Sequence, residues 1–255
     1  MLKSPMYYPT QIPYKLNKEF SRLINYTEET LPSLSDFVIC IWEMIPKMDE
    51  RNTVTNVIVT DGCIDLVADF KYGEIGFAGF GKTLFDDKIK TPSRYMGARL
   101  KPGAFHAITG LDASMAMDKF LPLSRADKNF NKKEFFESNQ TKTKQLFTEL
   151  IERLCQNKTP NQYTRLFDEL YDDLPDTACE LYTRMGYSPK QCQRHFDRNF
   201  GLTPQVVLNI LRFQKCLENP GNAMEKSNYY DQAHFIKDFK KHIGITPNEL
   251  IKLYK

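Results

Sequence analysis

Two stretches in the last third of the chain end alike: "GYSPKQCQRHFDRNFGLTP" over 186–204 and "NYYDQAHFIKDFKKHIGITP" over 228–247. Superimposing "GLTP" on "GITP" aligns Phe200 with Ile243, Phe196 with Phe239, Cys192 with Phe235 and Arg194 with Lys237. Apolar residues at i, i+4 and i+8 form one stripe on a helix, with Lys or Arg on the opposite side. Gly then stops each helix, and Thr followed by Pro starts the next. A duplicated amphipathic helix of this kind commits the end of the chain to helices.

The outward faces carry the chemistry. In the first copy Lys190, Gln193, Arg194 and Asp197 fall at i, i+3, i+4 and i+7 and share a face; in the second Ala233, Ile236, Lys237 and Lys240 do so, flanked by Gln232, His234 and Lys241. Arg can bond two acceptors on guanine, Gln can pair with adenine, and Lys neutralises phosphate. A helix offering these groups behind a shorter helix and a tight Gly turn has helix-turn-helix geometry, and two copies in one chain can address successive major-groove segments without dimer symmetry. Charge follows the same division: from Asp176 onward there are 12 Lys+Arg against 8 Asp+Glu, so the basic excess of the whole chain, net +3, lies in this third. That is the balance expected of a surface that meets a polyanion.

Ahead of this region the pattern is different. Short runs rich in β-branched and aromatic residues, at 37–45, 54–60, 63–70, 74–80 and 94–100, read as strands separated by turn residues. Asp61-Gly62 between two of them predicts a two-residue hairpin. Beyond Pro122 the spacing is helical: Leu146, Phe147, Leu150, Ile151 and Leu154 form one stripe, and helices follow from 162 to the end, with Asp176, Ser188, Thr203, Asp231 and Thr246 as predicted N-caps. The expected fold class is α+β with two domains: an N-terminal antiparallel β-rich domain, barrel or cupin-like, over 1–125, a helical linker over 126–175, and an all-α domain with two helix-turn-helix units over 176–255. The stripe at 146–154 suits either a homodimer contact or a seal between the two domains.

Several function classes are disfavoured. Six scattered cysteines without a C-x-x-C spacing suit reduced, buried thiols, and four histidines, only one of them in the first 175 residues, are too few for a multi-histidine metal centre. No nucleophile–base motif, phosphate-binding loop or G-x-S-x-G is present, so no catalysis and no cofactor or metal are expected. No apolar run of membrane-spanning length occurs, and the start of the chain lacks a signal-peptide core, so a cytoplasmic protein with no membrane partner is expected. Trp42, Tyr95, Arg99, Lys101 and His106 could line a pocket for a small anionic or polar effector, although Trp42 is read better as core and Arg99 as the partner of an acid.

"RHFDRNFGLTP" and above all "YYDQAHFIKDFKKHIGITP" resemble the C-terminal DNA-binding domain of the AraC/XylS transcriptional regulators, over about residues 176–250. "VTDGCIDLV" and "GARLKPGAF" resemble segments of the sensory half in one branch of that family. The resemblance implies a sequence-specific regulator that binds double-stranded DNA, works with RNA polymerase and answers to an effector. Lys190, Gln193 and Arg194 would face bases in the first recognition helix, with Ser188 and Arg198 on phosphates. In the second, Gln232, Ala233, His234 and Lys237 would read the groove, with Lys240 and Lys241 on phosphates. The chain departs from the family between its "RFQ" and "YYDQ" segments: "KCLENPGNAMEKSN" leaves only "NAMEKS" for the supporting helix of the second unit, and Asn228 replaces the turn glycine. A second unit shortened in this way admits an alternative function, a small-molecule or protein-interaction module no longer competent for DNA.

Overall fold

Strict alternation of side chains builds the N-terminal half around one sheet with two working faces. The computed structural model describes residues 6–48, 52–79, 85–218 and 232–254. Six antiparallel strands lie in the order β1 (Ile24–Glu29), β2 (Val38–Pro46), β7 (Tyr95–Leu100), β4 (Ile64–Asp69), β5 (Glu74–Gly79) and β8 (Phe120–Pro122). A separate pair, β3 (Thr53–Ile58) with β6 (Phe85–Lys90), covers part of one face. Because successive strand residues point to opposite faces, Ile64, Leu66 and Ala68 of β4 enter the main core, whereas Asp65, Val67 and Asp69 line a cavity.

The hairpin expected at Asp61-Gly62 is not formed. β3 pairs with β6, and β4 pairs with β5 and β7. Gly62 does take a positive φ of 75°, but Asp61 caps the bend through its own side chain, its Oδ1 accepting from Cys63 N at 2.9 Å. The segment 59–63 therefore crosses from one sheet to the other. Asx bends and type I′ turns draw on the same Asp-Gly pair, and the pair alone does not distinguish them. β6, "FDDKIK", lacks the apolar run that marked the other strands, and so escaped detection.

The other sheet face is covered by helices α3 (Ala104–Thr109), α5 (Gln140–Cys155) and α6 (Gln162–Asp172). The predicted stripe on α5 is spent here: Phe147, Leu150, Ile151 and Leu154 are buried in the main core. It therefore seals the chain internally and is not offered to a second copy. A short helix α4 (Lys132–Glu137) precedes it, and α1 (Pro13–Leu16) and α2 (Lys18–Leu23) flank β3.

The C-terminal helices are α7 (Ala178–Met185), α8 (Pro189–Phe200), α9 (Pro204–Glu218), α10 (Gln232–Ile243) and α11 (Pro247–Tyr254). Thr177 rather than Asp176 caps α7, accepting from Glu180 N. Gly186, Gly201 and Gly244 end their helices at φ of 68°, 68° and 79°, and Ser188 and Thr246 cap the helices that follow. Asn228, "NAMEKS", Pro220-Gly221 and the expected cap Asp231 lie outside the described residues.

α9 is the shared beam. Val207, Leu208, Ile210 and Leu211 join the main core, while Phe213, Cys216 and Leu217 join a second cluster with Phe235, Phe239, Ile243 and Leu250. Ile12 and Val59 of the N-terminal half complete that second cluster.

Candidate nucleic-acid interface and ligand cavity

The two helices picked out by the repeat are built alike. Cys192, Phe196 and Phe200 of α8 are buried at 0–1% exposure, as are Phe235, Phe239 and Ile243 of α10 at 1–4%, so the aligned stripes are the aligned cores. On the opposite sides Lys190, Gln193, Arg194 and Arg198 of α8 are exposed, as are Ala233, Lys237, Lys240 and Lys241 of α10. Gln232 and His234 belong to α10, but their side chains lie outside the described ones.

Local contacts hold α8 firmly. Ser188 and Gln191 form a capping box, with Ser188 Oγ 2.8 Å from Gln191 Oε1. His195 sits between Tyr187 and Tyr163, ring centroids 4.7 and 5.6 Å away. Its C-terminal end docks on the sheet domain: a Cβ on Gly201 would lie 2.9 Å from the backbone of Ala113. Arg198, assigned to phosphate, lies 3.4 Å from Asp112 on the same docking segment, in an exposed ion pair.

The cavity, about 240 Å³, lies between the sheet and the β3–β6 pair. Trp42, Tyr95 and Arg99 line it. Lys101 and His106 do not. Lys101 turns to the helices, its Nζ 2.6 Å from Asp168 Oδ2 on α6, because Lys101 follows the last residue of β7 and has left the alternation. His106 lies on α3, its Nδ1 2.8 Å from Leu111 O. Asp61, Asp65, Asp69 and Glu74 line the cavity as well. The i, i+4 spacing of Asp65 and Asp69 is legible in the sequence as one strand face; what it does not show is that Asp61 and Glu74 join them around a cavity.

Arg99 is 5% exposed and is already enclosed by acids. Its Nη1 donates to Glu28 Oε1 at 3.1 Å, and its Nε lies 3.7 Å from Asp61 Oδ2 and 3.8 Å from Asp65 Oδ1. Burial pushes the Asp65 carboxyl up to about 6, against the pull of Arg99 and with Asp61 adding to the rise. Burial would also raise Glu28, but Arg99 and the hydroxyls of Tyr26 and Tyr8 hold it below the usual range. Trp42 lies across Gly97, where a Cβ would stand 2.2 Å from the indole, and its Nε1 donates to Asp65 Oδ2 at 2.7 Å.

The floor of this cavity is wired to the C-terminal helices. Asp61 Oδ2 accepts from Gln11 Nε2 at 2.9 Å, and its carbonyl accepts from the buried Tyr7 hydroxyl at 2.8 Å. Next to it, Thr60 O accepts from Gln214 Nε2 of α9 at 2.9 Å, and Thr60 Oγ1 lies 2.8 Å from His242 Nδ1 of α10. Gln214 Oε1 accepts in turn from Thr10 N.

Residues 181–252 match a family model described as a helix-turn-helix domain, and residues 29–122 match one described as a domain of unknown function (DUF6597). Among solved structures, an apo ToxT variant from Vibrio cholerae strain SCE256 is 8% identical, covering 91% of this chain and 97% of that one with a TM-score of 0.43. ToxT from Vibrio cholerae O395 is 7% identical over 89% and 97%, with a TM-score of 0.42. Unsaturated fatty acid bound wild-type ToxT from strain SCE256 is 9% identical over 84% and 93%, with a TM-score of 0.40. No curated protein matches the chain.

Proposed function

From a chain that carries an AraC-type helix-turn-helix domain behind a β-rich N-terminal domain, and is thus a DNA-binding transcriptional regulator, we propose that α8 and α10 read successive major-groove segments of one duplex. The observation that carries this reading is the matched pair of exposed faces, Lys190, Gln193 and Arg194 on α8 and Ala233, Lys237, Lys240 and Lys241 on α10, each opposite a buried stripe. Arg194 and Gln193 are the base readers of the first unit. Lys237 has the matching place in the second, with Gln232 and His234 beside it in sequence. Lys190 shares the base-facing side of the first unit, and Lys240 and Lys241 neutralise phosphates, as does Arg198 once it leaves Asp112.

The N-terminal domain is the sensory part. Trp42, Tyr95 and Arg99 belong to its effector cavity, and Thr60-Asp61 is the link by which occupancy reaches α9 and α10, since Asp61 lines the cavity and Thr60 bonds both helices. A ligand that favours one arrangement of this link shifts the DNA-competent population by its difference in affinity for the two arrangements. The chain acts in the cytoplasm, where DNA and RNA polymerase are, and among the described residues no helix is long and apolar enough to cross a membrane. Pairing with a second copy, where it occurs, uses a surface other than the buried stripe of α5.

The test is a titration of the full chain against a duplex selected from a random pool, followed by anisotropy at several salt concentrations. Affinity should fall steeply with salt, and Lys240→Ala and Lys241→Ala should each lower the slope of log K on log salt by about 1. An affinity independent of salt would overturn the reading.

A further inference from the structure

The cavity beside β4 holds more negative than positive charge, and the disposition of those charges specifies a ligand class. In the β4–β5 register Asp69 stands directly opposite Glu74, and on its other side opposite Tyr95 of β7. Like charges directly opposite repel. Asp69 Oδ1 accepts from Lys71 N and Tyr72 N, contacts that organise the turn, and no ion pair joins it to a cation among the described residues.

Arg99, the basic side chain on the cavity wall among the described residues, is surrounded by Glu28, Asp61 and Asp65. A carboxylate ligand would therefore meet a cation already neutralised and a wall that repels it. Arg99 Nε is itself buried between Asp61 and Asp65, at 3.7 and 3.8 Å, and is not open to a ligand in the cavity. Arg99 pairs with Asp65, four residues from Asp69, which separates the two ends by about 13 Å at ~3.3 Å per strand residue. Between them lies the Trp42 indole, held by Asp65 and by the bare backbone of Gly97, with Tyr95 beside the acidic end. Aromatic faces next to carboxylates form a receptor for organic cations.

We propose that the cavity takes a small organic cation: an amine or quaternary ammonium group between Asp69 and Glu74 against Tyr95, with an apolar body on Trp42. This rests on the reading of the N-terminal domain as sensory and gives its ligand a chemistry.

The test is calorimetry on the full chain at pH 7.5 without DNA. The probes are tyramine and benzyltrimethylammonium, set against phenylacetate and decanoate. At least one cation should bind, with neither carboxylate detectable. Asp69→Asn, which keeps the Oδ1 needed by the turn, and Glu74→Gln should each weaken the cation at least tenfold, with thermal melts confirming the fold. Binding of a carboxylate, silence of both cations, or cation binding indifferent to both substitutions would overturn the proposal. Anisotropy with DNA on the same preparation separates that failure from failure of the regulator reading.

Discussion

His242 Nδ1 lies 2.8 Å from Thr60 Oγ1, joining the end of α10 to the residue beside Asp61 in the cavity wall. The pair is buried and the imidazole stacks on Phe213 at 4.9 Å, so this is a packed joint between the two halves of the chain. Thr60→Val keeps the side-chain volume and removes the hydroxyl. Since one partner of a buried hydrogen bond is lost, urea denaturation should show a loss of about 1–3 kcal/mol. Effector-dependent changes in DNA affinity should shrink with it; full stability and full coupling would rule the joint out.

Gly97 and Trp42 form a second dependency. Gly97→Ala places a methyl 2.2 Å from the indole, which must then leave its place across β7 and its bond to Asp65. Overpacking of this kind costs about 1–3 kcal/mol. Trp42 is the chain's single tryptophan, so its fluorescence reports the change directly. An unshifted emission spectrum would show that the indole does not occupy this position.

Asp65 gives stability a pH dependence of known sign. Its carboxyl is raised in the folded chain from an ordinary 3.8 to about 6 by burial, opposed by Arg99. The folded state therefore binds this proton more tightly than the unfolded state between those values, and the associated stabilisation, full below the lower value, is lost as pH rises through about 6. The stability of the native chain minus that of Asp65→Asn should be smaller at pH 7.5 than at pH 4.5. A difference that grows with pH would contradict this placement of the carboxyl.

The Arg198–Asp112 pair is exposed on both sides, 61% and 50%, so it contributes at most about 1 kcal/mol to stability. Its larger effect is to occupy a cation on α8. Asp112→Asn should leave the melting temperature nearly unchanged while raising DNA affinity and steepening the salt slope by about 1. Equal affinity and slope would mean that Arg198 stays off the phosphates.

Legibility in the sequence tracked locality. α8 and α10 were readable as helices because stripe, glycine stop and Thr-Pro cap all lie within twenty residues, and Phe196 and Phe239 are buried where the superposition put them. Strand partners were not readable: Asp61-Gly62 encodes a bend, but only the tertiary pairing of β3 with β6 decides that the chain changes sheets there. The cavity was legible in part. Trp42, Tyr95 and Arg99 share one face of paired strands, Trp42 opposite Gly97 and Asp65 opposite Arg99. Lys101 and His106, a few residues further on, are claimed by Asp168 and by Leu111 once the strand has ended. An ion pair at Arg99 was foreseeable, but not its partners: Glu28 comes from β1, and Asp61 and Asp65 from β4 and its lead-in.

The central claim is that the outward face of α8 reads bases, and Arg194 tests it most directly. Anisotropy titrations of the native chain and Arg194→Ala should be run on the selected duplex and on versions with single base-pair changes. The substitution should cost about 1–3 kcal/mol on the selected site and abolish discrimination at one position, leaving the others intact. Unchanged affinity and an unchanged pattern of discrimination would contradict it.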